Sequence, residues 1–311
     1  MKFKLAFALF IVLLLNISIF SQNTYDFLRL DLSARAAALG GTFVSNTDDP
    51  NVIFYNPAGL KMLTGSPISF SFLKYLLDIN FASITYSTEF EDIGRVAAGI
   101  KYANYGTFPY TDEFGYKYGE YSAGEAAFIL GYSNIIDQNF YYGVNAKFIY
   151  SSIADRSSSA IALDLGLNYN IPAQELSIGF AILNAGTQLS SYYSTKENLP
   201  LDVTVGASKK LAHVPLRFSL DFHRLNDDQS DFISHLRAFT VGAEFTLSKV
   251  LTLRLGYDNM KRQDLTIGTL AGIAGFSAGL GALIKGYSFD YGFSSLGAIG
   301  ALHRISLATT L

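Results

Sequence analysis

The sequence predicts an all-β fold, a transmembrane antiparallel β-barrel of about 14 strands with an N-terminal lumenal plug of short helices. Three observations predict it. Apolar and small or polar residues alternate with period two over segments near ten residues long, the length that crosses a bilayer at a tilt. The gaps between those segments are short and long by turns. The composition is half apolar and only 16% charged, with 25 Phe and 20 Tyr. Soluble domains carry about 25% charged residues.

Residues 1–21 read as a secretory signal peptide. Lys2 and Lys4 precede the apolar run "LAFALFIVLLL", which is too short to span a bilayer as a helix, and "NISIFSQ" offers a small-residue exit. The cut is expected after Ser21, with Ile19 departing from the small-x-small pattern. Its removal leaves 21 basic against 26 acidic residues, a net charge of −5. No basic stretch is dense enough to suggest nucleic acid. With no cysteine, an exported chain must hold its fold without disulfides or thiolate metal sites.

Residues 22–65 differ from everything after them and are expected to form a plug, or hatch. In "LSARAAALGG" Asp31 or Ser33 can cap a short helix that ends at Gly40 or Gly41. In "TDDPNVIFYNPAGL" Asp49 can cap a second one, with Pro50 at its first position. Asn56 precedes Pro57, which discourages further helix, and Pro57 with Gly59 suits a tight turn. Helices this short are unstable alone and need a surface to dock on. A barrel interior supplies one.

Residues 66–311 are expected to form the barrel. Candidate strands fall at 67–76, 80–88, 94–105, 125–134, 140–151, 159–170, 175–184, 201–211, 214–223, 237–247, 250–258, 274–284, 286–293 and 301–310. In 140–151, Tyr142, Val144, Ala146, Phe148 and Tyr150 share one face, while Gly143, Asn145 and Lys147 share the other. Connections after even-numbered strands are short. Most after odd ones are long, notably 106–124, 185–200, 224–236 and 259–273. That parity belongs to an outer-membrane barrel with tight periplasmic turns and larger external loops. A soluble sandwich has no reason to keep it. The run 265–284 lacks charge and has small-xxx-small spacing at Gly268/Gly272 and Gly275/Gly279, so a membrane helix is an alternative there. Alternation from Phe276 to Ile284 favours a strand.

Parity points Lys101, Lys147, Arg217, Arg254 and Arg304 inward, with Asp164, Asp202, Asp221, Glu244, Asp258 and Asp290. An ion-selective pore wants one sign of charge. Mixed charge instead pairs, so the lumen is expected to be filled or gated. A charge network is expected among Lys147, Asp164, Asp221, Glu244, Arg254, Asp290 and Arg304. Arg35 can join it through Asp164 or Asp290, or else face the periplasm. No catalytic, cofactor or metal site is expected. Ser219, Asp221 and His223 share a face, but alternate side chains on a strand lie about 7 Å apart, beyond hydrogen-bond reach. A cation among His223, His235, Asp227, Asp228 and Asp231 is less expected than a solvated acidic loop. Aromatic residues are accounted for by anchoring at the membrane interface.

The stretch "FLRLDLSARAAALGGTFVSNTDDPNVIFYNPAGL" (27–60) resembles the start of the PorV/PorQ family of bacterial outer-membrane proteins, relatives of the FadL-type long-chain fatty-acid transporters. The likeness continues through "ALDLGLNY" (162–169), "LSIGFAILNAG" (176–186), "LPLDVTVGAS" (199–208), "FTVGAEFTLSKVLTLRLGY" (239–257) and "YSFDYGFSSLGAIGALHRISL" (287–307). The start is closer to PorQ-like members. The terminal "RISLATTL" departs from the family habit of ending on an aromatic residue. The resemblance implies a 14-stranded barrel with a lumenal hatch in the bacterial outer membrane. It also implies a role in type IX protein secretion, with machinery or cargo proteins docking at the external loops. The alternative is FadL-like transport of hydrophobic small molecules. Outer-membrane lipid is a partner on either reading.

Overall fold

A computed structural model describes residues 24–227, 236–265 and 272–311. The expected signal peptide and its cut, together with Asp228, Asp231, His235 and Gly268, lie outside the described residues. The described residues form fourteen antiparallel strands closed into one barrel, each paired with its sequence neighbour and the last with the first. They are β1 (Pro67–Lys74), β2 (Asn80–Phe90), β3 (Gly94–Thr111), β4 (Lys117–Asp137), β5 (Phe140–Ile153), β6 (Arg156–Ile171) and β7 (Leu176–Ser190), followed by β8 (Asp202–Lys210), β9 (Leu216–Phe222), β10 (Phe239–Thr246), β11 (Leu251–Asp258), β12 (Phe276–Ile284), β13 (Tyr287–Ser295) and β14 (Ala301–Thr310). Each expected strand has its counterpart, and 276–284 is strand rather than membrane helix. Closure between Ile68 on β1 and Thr309 on β14 leaves no free edge, so every strand's backbone groups are paired within the wall.

The outward face carries Phe70, Phe72, Ile84, Phe128, Leu130, Leu163, Phe289 and Ile305, all exposed. The inward face carries Ser69, Ser71, Thr85, Asn145 and Asn168, all buried. An apolar outside and a polar inside is the arrangement that lipid requires.

The wall is uneven. Strands β3 to β7 have 14 to 21 residues, whereas β8 to β14 have 7 to 10. The expected loop 106–124 is therefore mostly ladder. After a bulge between Asn104 and Gly106, β3 and β4 stay paired as far as Thr111 and Lys117. Residues 185–190 likewise continue β7.

Residues 24–66 run through the lumen. They form a 3₁₀ turn at Asp26–Arg29, a helix α1 at Ala34–Ala38, and 3₁₀ turns at Pro50–Phe54 and Pro57–Met62. Ser33, rather than Asp31, caps α1, its hydroxyl accepting from the Ala36 N–H at 3.3 Å. Gly40 and Gly41, at φ 72° and 87°, end the helix in the left-handed region that favours glycine. The second expected helix is a single 3₁₀ turn, capped by Asp49 and opened by Pro50. Asn56 caps the next turn, with Pro57 at its start. Gly59 serves by size rather than by φ, since a Cβ there would sit 2.6 Å from the Asn46 carbonyl oxygen. Two apolar clusters hold the segment. One joins Phe27, Leu28 and Leu32 to Leu73, Phe81 and Ile149 of the wall. The other joins Leu39, Phe43, Ile53 and Leu60 to Ala97 and Ile129.

The segment lies directly on wall backbone. A Cβ on Gly256 would approach the Gly40 nitrogen to 2.2 Å, and one on Gly143 the Pro57 carbonyl carbon to 2.3 Å. The small inward residues thus make room for packed chain, in line with the filled lumen expected from its mixed charges.

Candidate functional site: the lumen and its N-terminal segment

Arg35 projects from α1 into a chain of ions. Its Nε and Nη2 donate to both Glu244 oxygens at 2.9 Å, a bidentate pair. Its Nη1 meets Asp48 at 2.9 Å and Asp49 at 3.5 Å. Glu244 also accepts from Arg254 Nε at 2.6 Å, and Arg254 Nη1 reaches Asp290 at 2.5 Å. Arg217 closes the other end on Asp48 at 2.8 Å. The expectation that Arg35 pairs directly with Asp164 or Asp290 is corrected. α1 lies against β11 to β14, so Asp290 is reached only through Glu244 and Arg254, and Asp164 stands on β6. Burial pushes the Asp48 carboxyl up, but Arg35 and Arg217 outweigh it and hold the group well below the usual carboxylate range. Burial dominates at Asp49 and raises it, against Arg35 and the Asn51 N–H.

Asp164 serves a different structure. Its carboxylate takes Lys147 at 2.8 Å, Asn145 Nδ2 at 2.7 Å and the Asn184 N–H at 2.8 Å. Asn184 sits at φ 61° where β7 slips register against β6, and Asp164 satisfies the amide freed by that bulge. Asp221 is not part of an ion network. Its Oδ2 accepts from the backbone N–H groups of Phe43 at 2.6 Å and Val44 at 2.9 Å. Arg304 also turns to backbone, donating to the Asp31 carbonyl at 2.5 Å and to Ser294 at 3.1 Å. Asn56 donates to Val44 and Leu167 carbonyls at 2.7 and 3.0 Å while accepting from the Ala58 N–H at 3.1 Å. The expected charge network is therefore three separate anchors, at Glu244, Asp164 and Asp221, with Arg304 as a backbone clasp.

Sequence reasoning missed Asp48, Asn145 and Arg95. Arg95 donates to the Leu63 and Gly65 carbonyls at 2.6 and 3.0 Å, holding the chain where it enters β1. The pairing of Glu89 with both Lys61 and Arg95 sits beside it. Parity gives Asn145 and Arg95 a face but no partner, and it says nothing of Asp48, which lies ahead of the strands. His223 turns its ring nitrogens to Thr240 at 3.0 Å and Thr204 at 3.4 Å rather than to Ser219.

Cavities lie in the lumen around α1, a small one of about 90 Å³ beside Ser33 and Asp290 and two others toward opposite ends of the barrel. One, of about 150 Å³, opens toward the long-loop end and touches Asp31, Gly40, Lys101, Asp202 and Arg224. The other, of about 430 Å³, opens toward the short-turn end and touches Arg35, Asp48, Glu244, Lys249 and Thr310. The stretch Arg35–Gly41 and the Glu244 ion group stand between them.

A closed fourteen-strand barrel, apolar outside and filled inside by its own N-terminal segment, defines the class: the protein is a β-barrel of the bacterial outer membrane. Among solved structures its fold is similar to that of the Ralstonia pickettii toluene transporter TbuX, with a TM-score of 0.58 at 12% identity over 89% of this chain and 96% of that one. It is similar too to the P. putida toluene transporter TodX, at 0.58 and 12% over 90% and 99%. A Pseudomonas aeruginosa FadL homologue gives 0.55 and 9% over 94% and 98%. At these identities the likeness is one of fold. No family model matches the sequence, and no curated protein matches it.

Proposed function

We propose that the protein carries small molecules across the outer membrane, with residues 22–65 acting as the plug of a barrel formed by 66–311. The observation that carries this reading is the pair of cavities separated by α1 and its ion group. Shifting one short helix joins them, whereas the turns around Asn56 are tied to the opposite wall by the Asn56 side-chain amide on the Leu167 carbonyl and by Ile53 and Leu60 packed on Ala97 and Ile129. Arg35, Glu244 and Asp48 form the latch. Asp49, Pro50, Asn56, Pro57 and Gly59 shape the part that stays. The fold shared with toluene transporters supports a solute with an apolar body.

The test uses the absence of cysteine. The Ala34 N–H donates to the Ser306 hydroxyl at 2.9 Å, so Ala34→Cys with Ser306→Cys can tie α1 to β14. In liposomes, toluene flux is expected to fall on oxidation and return on reduction. No flux above lipid alone in either state would sink the transport reading.

A second reading keeps the PorV/PorQ resemblance, in which the barrel docks proteins for type IX secretion. The ladder beyond Tyr105 favours it, because Phe114, Tyr116 and Tyr118 stand well exposed at its tip. Aromatic residues on a rigid hairpin suit a protein interface.

A further inference from the structure

The cavity at the long-loop end measures about 150 Å³. An apolar cavity of about that volume in another protein accepts benzene, and sites for drug-sized ligands are about 300–1,000 Å³. One ring fits and a long alkyl chain does not. Leu30, Val44 and Phe54 give the cavity an apolar side.

Its other side carries five cations, Arg29, Lys101, Lys147, Arg224 and Lys261, with four carboxylates among them, and the cations differ in how they are satisfied. Lys147 has Asp164, and Lys261 has Asp31 and Asp258. Lys101 is 4% exposed and in no salt bridge among the described residues. Its ammonium donates to the Leu28 and Leu30 carbonyls at 2.8 and 3.2 Å and lies 5.0 Å from the Phe54 ring centroid. An ammonium has three donors, so one remains. Among the described residues the Arg224 guanidinium also has no ion pair, and Arg29 Nε is buried with no acceptor. Of the wall's acids, Asp202 accepts from the Arg224 N–H at 2.8 Å and the Thr204 hydroxyl at 3.1 Å, and Asp264 is exposed. A buried cation lacking a counter-ion is costly, and an incoming carboxylate supplies the counter-ion in a short, strong bond.

We propose that this cavity binds a one-ring carboxylate, with its ring against Leu30, Val44 and Phe54, its carboxylate at Lys101, and Arg29 and Arg224 nearer the loops. This deepens the transport reading by naming the solute class and rests on that reading for its physiological role. The binding event does not depend on it.

The test is equilibrium dialysis of the mature protein, folded in detergent, with radiolabelled benzoate, and with toluene and inorganic phosphate as rivals. Benzoate is expected to saturate at one per barrel. Lys101→Met is expected to weaken it about tenfold, the scale of one lost charge-assisted bond, and Lys101→Arg to recover most of that. Arg224→Gln, which leaves the contacts of residues 24–66 in place, is expected to weaken it several-fold. It decides the matter if Lys101→Met fails to reach the folded gel mobility. Non-saturable benzoate overturns the proposal, as does wild-type affinity in the folded variants. Phosphate binding tighter than benzoate overturns the ring. Toluene flux in liposomes is read separately, so its absence with benzoate binding retained sinks transport and leaves the site.

Discussion

At the residue scale the arrangement turns on Arg35. It is buried and meets three carboxylates, with two of its bonds bidentate to Glu244. Removing Arg35 leaves Glu244 and Asp49 buried, and breaking a buried pair of this kind costs about 3–5 kcal/mol, while the exposed Asp48 adds little. Arg35→Met is expected to release α1 and raise small-solute flux in liposomes. Flux equal to wild type, from a correctly folded barrel, would show that Arg35 does not hold the segment. The same latch responds to pH. Asp48 is held below its usual range, so its contribution is complete above the ordinary carboxylate pKa of about 3.9 and fades as pH falls through the depressed value. Asp49, raised by burial, works the other way, favouring the docked segment while protonated and losing that as pH rises. Leakage that grows below about pH 4 in wild type and is already high in Asp48→Asn is the expected pattern.

At the element scale, bulges mark where the sequence stops being legible. Expected strands ended at 105, 134 and 184, and the ladders slip register at Asn104/Gly106, Ile135/Asp137 and opposite Leu163/Leu165. A bulge adds one residue and moves later side chains to the other face, so period-two reading ends although the strand continues. Lumen partners were illegible for another reason. The partner of Arg35 depends on which wall α1 lies against, and parity carries no such information. The glycines that receive α1 were visible only as a small inward face. Gly256→Val places side-chain atoms where the Gly40 backbone lies, and overpacking of this kind costs about 1–3 kcal/mol. The barrel is expected to keep its unheated gel mobility while trypsin cuts at Arg35. A segment as protease-resistant as wild type would contradict that.

At the scale of the whole molecule, the barrel is a cylinder cut obliquely. β3 and β4 rise well beyond the short strands from β8 to β14. The strands, their order and the location of the chain in the outer membrane follow from alternation and gap parity, because lipid and backbone pairing leave few other solutions. What crosses the barrel, or docks on it, depends on a few side chains at one end. If the tall hairpin is a protein-docking rim, replacing Phe114, Tyr116 and Tyr118 with Ser should remove stoichiometric partners from gently extracted native complexes while leaving toluene flux intact. Partner recovery unchanged by the substitutions would discard that reading.

The course of the lumenal segment also bears on how the molecule is made. Thr24 bonds Asn198 beyond the long-loop end of β7, whereas Ser66 bonds Leu311 at the opposite end, where β1 begins. Thr24 therefore sits at the far mouth, and the stretch from Thr24 to Ser66 runs the full depth of a cylinder whose seam is the β1–β14 pairing. Threading that stretch through a finished cylinder means dragging Arg35 and Asp49 past packed walls. Wrapping the strands around it before the seam is zipped avoids this. The expected order of assembly is therefore lumenal segment first and staves after, and a folded domain fused ahead of Thr24 is expected to block closure of the seam.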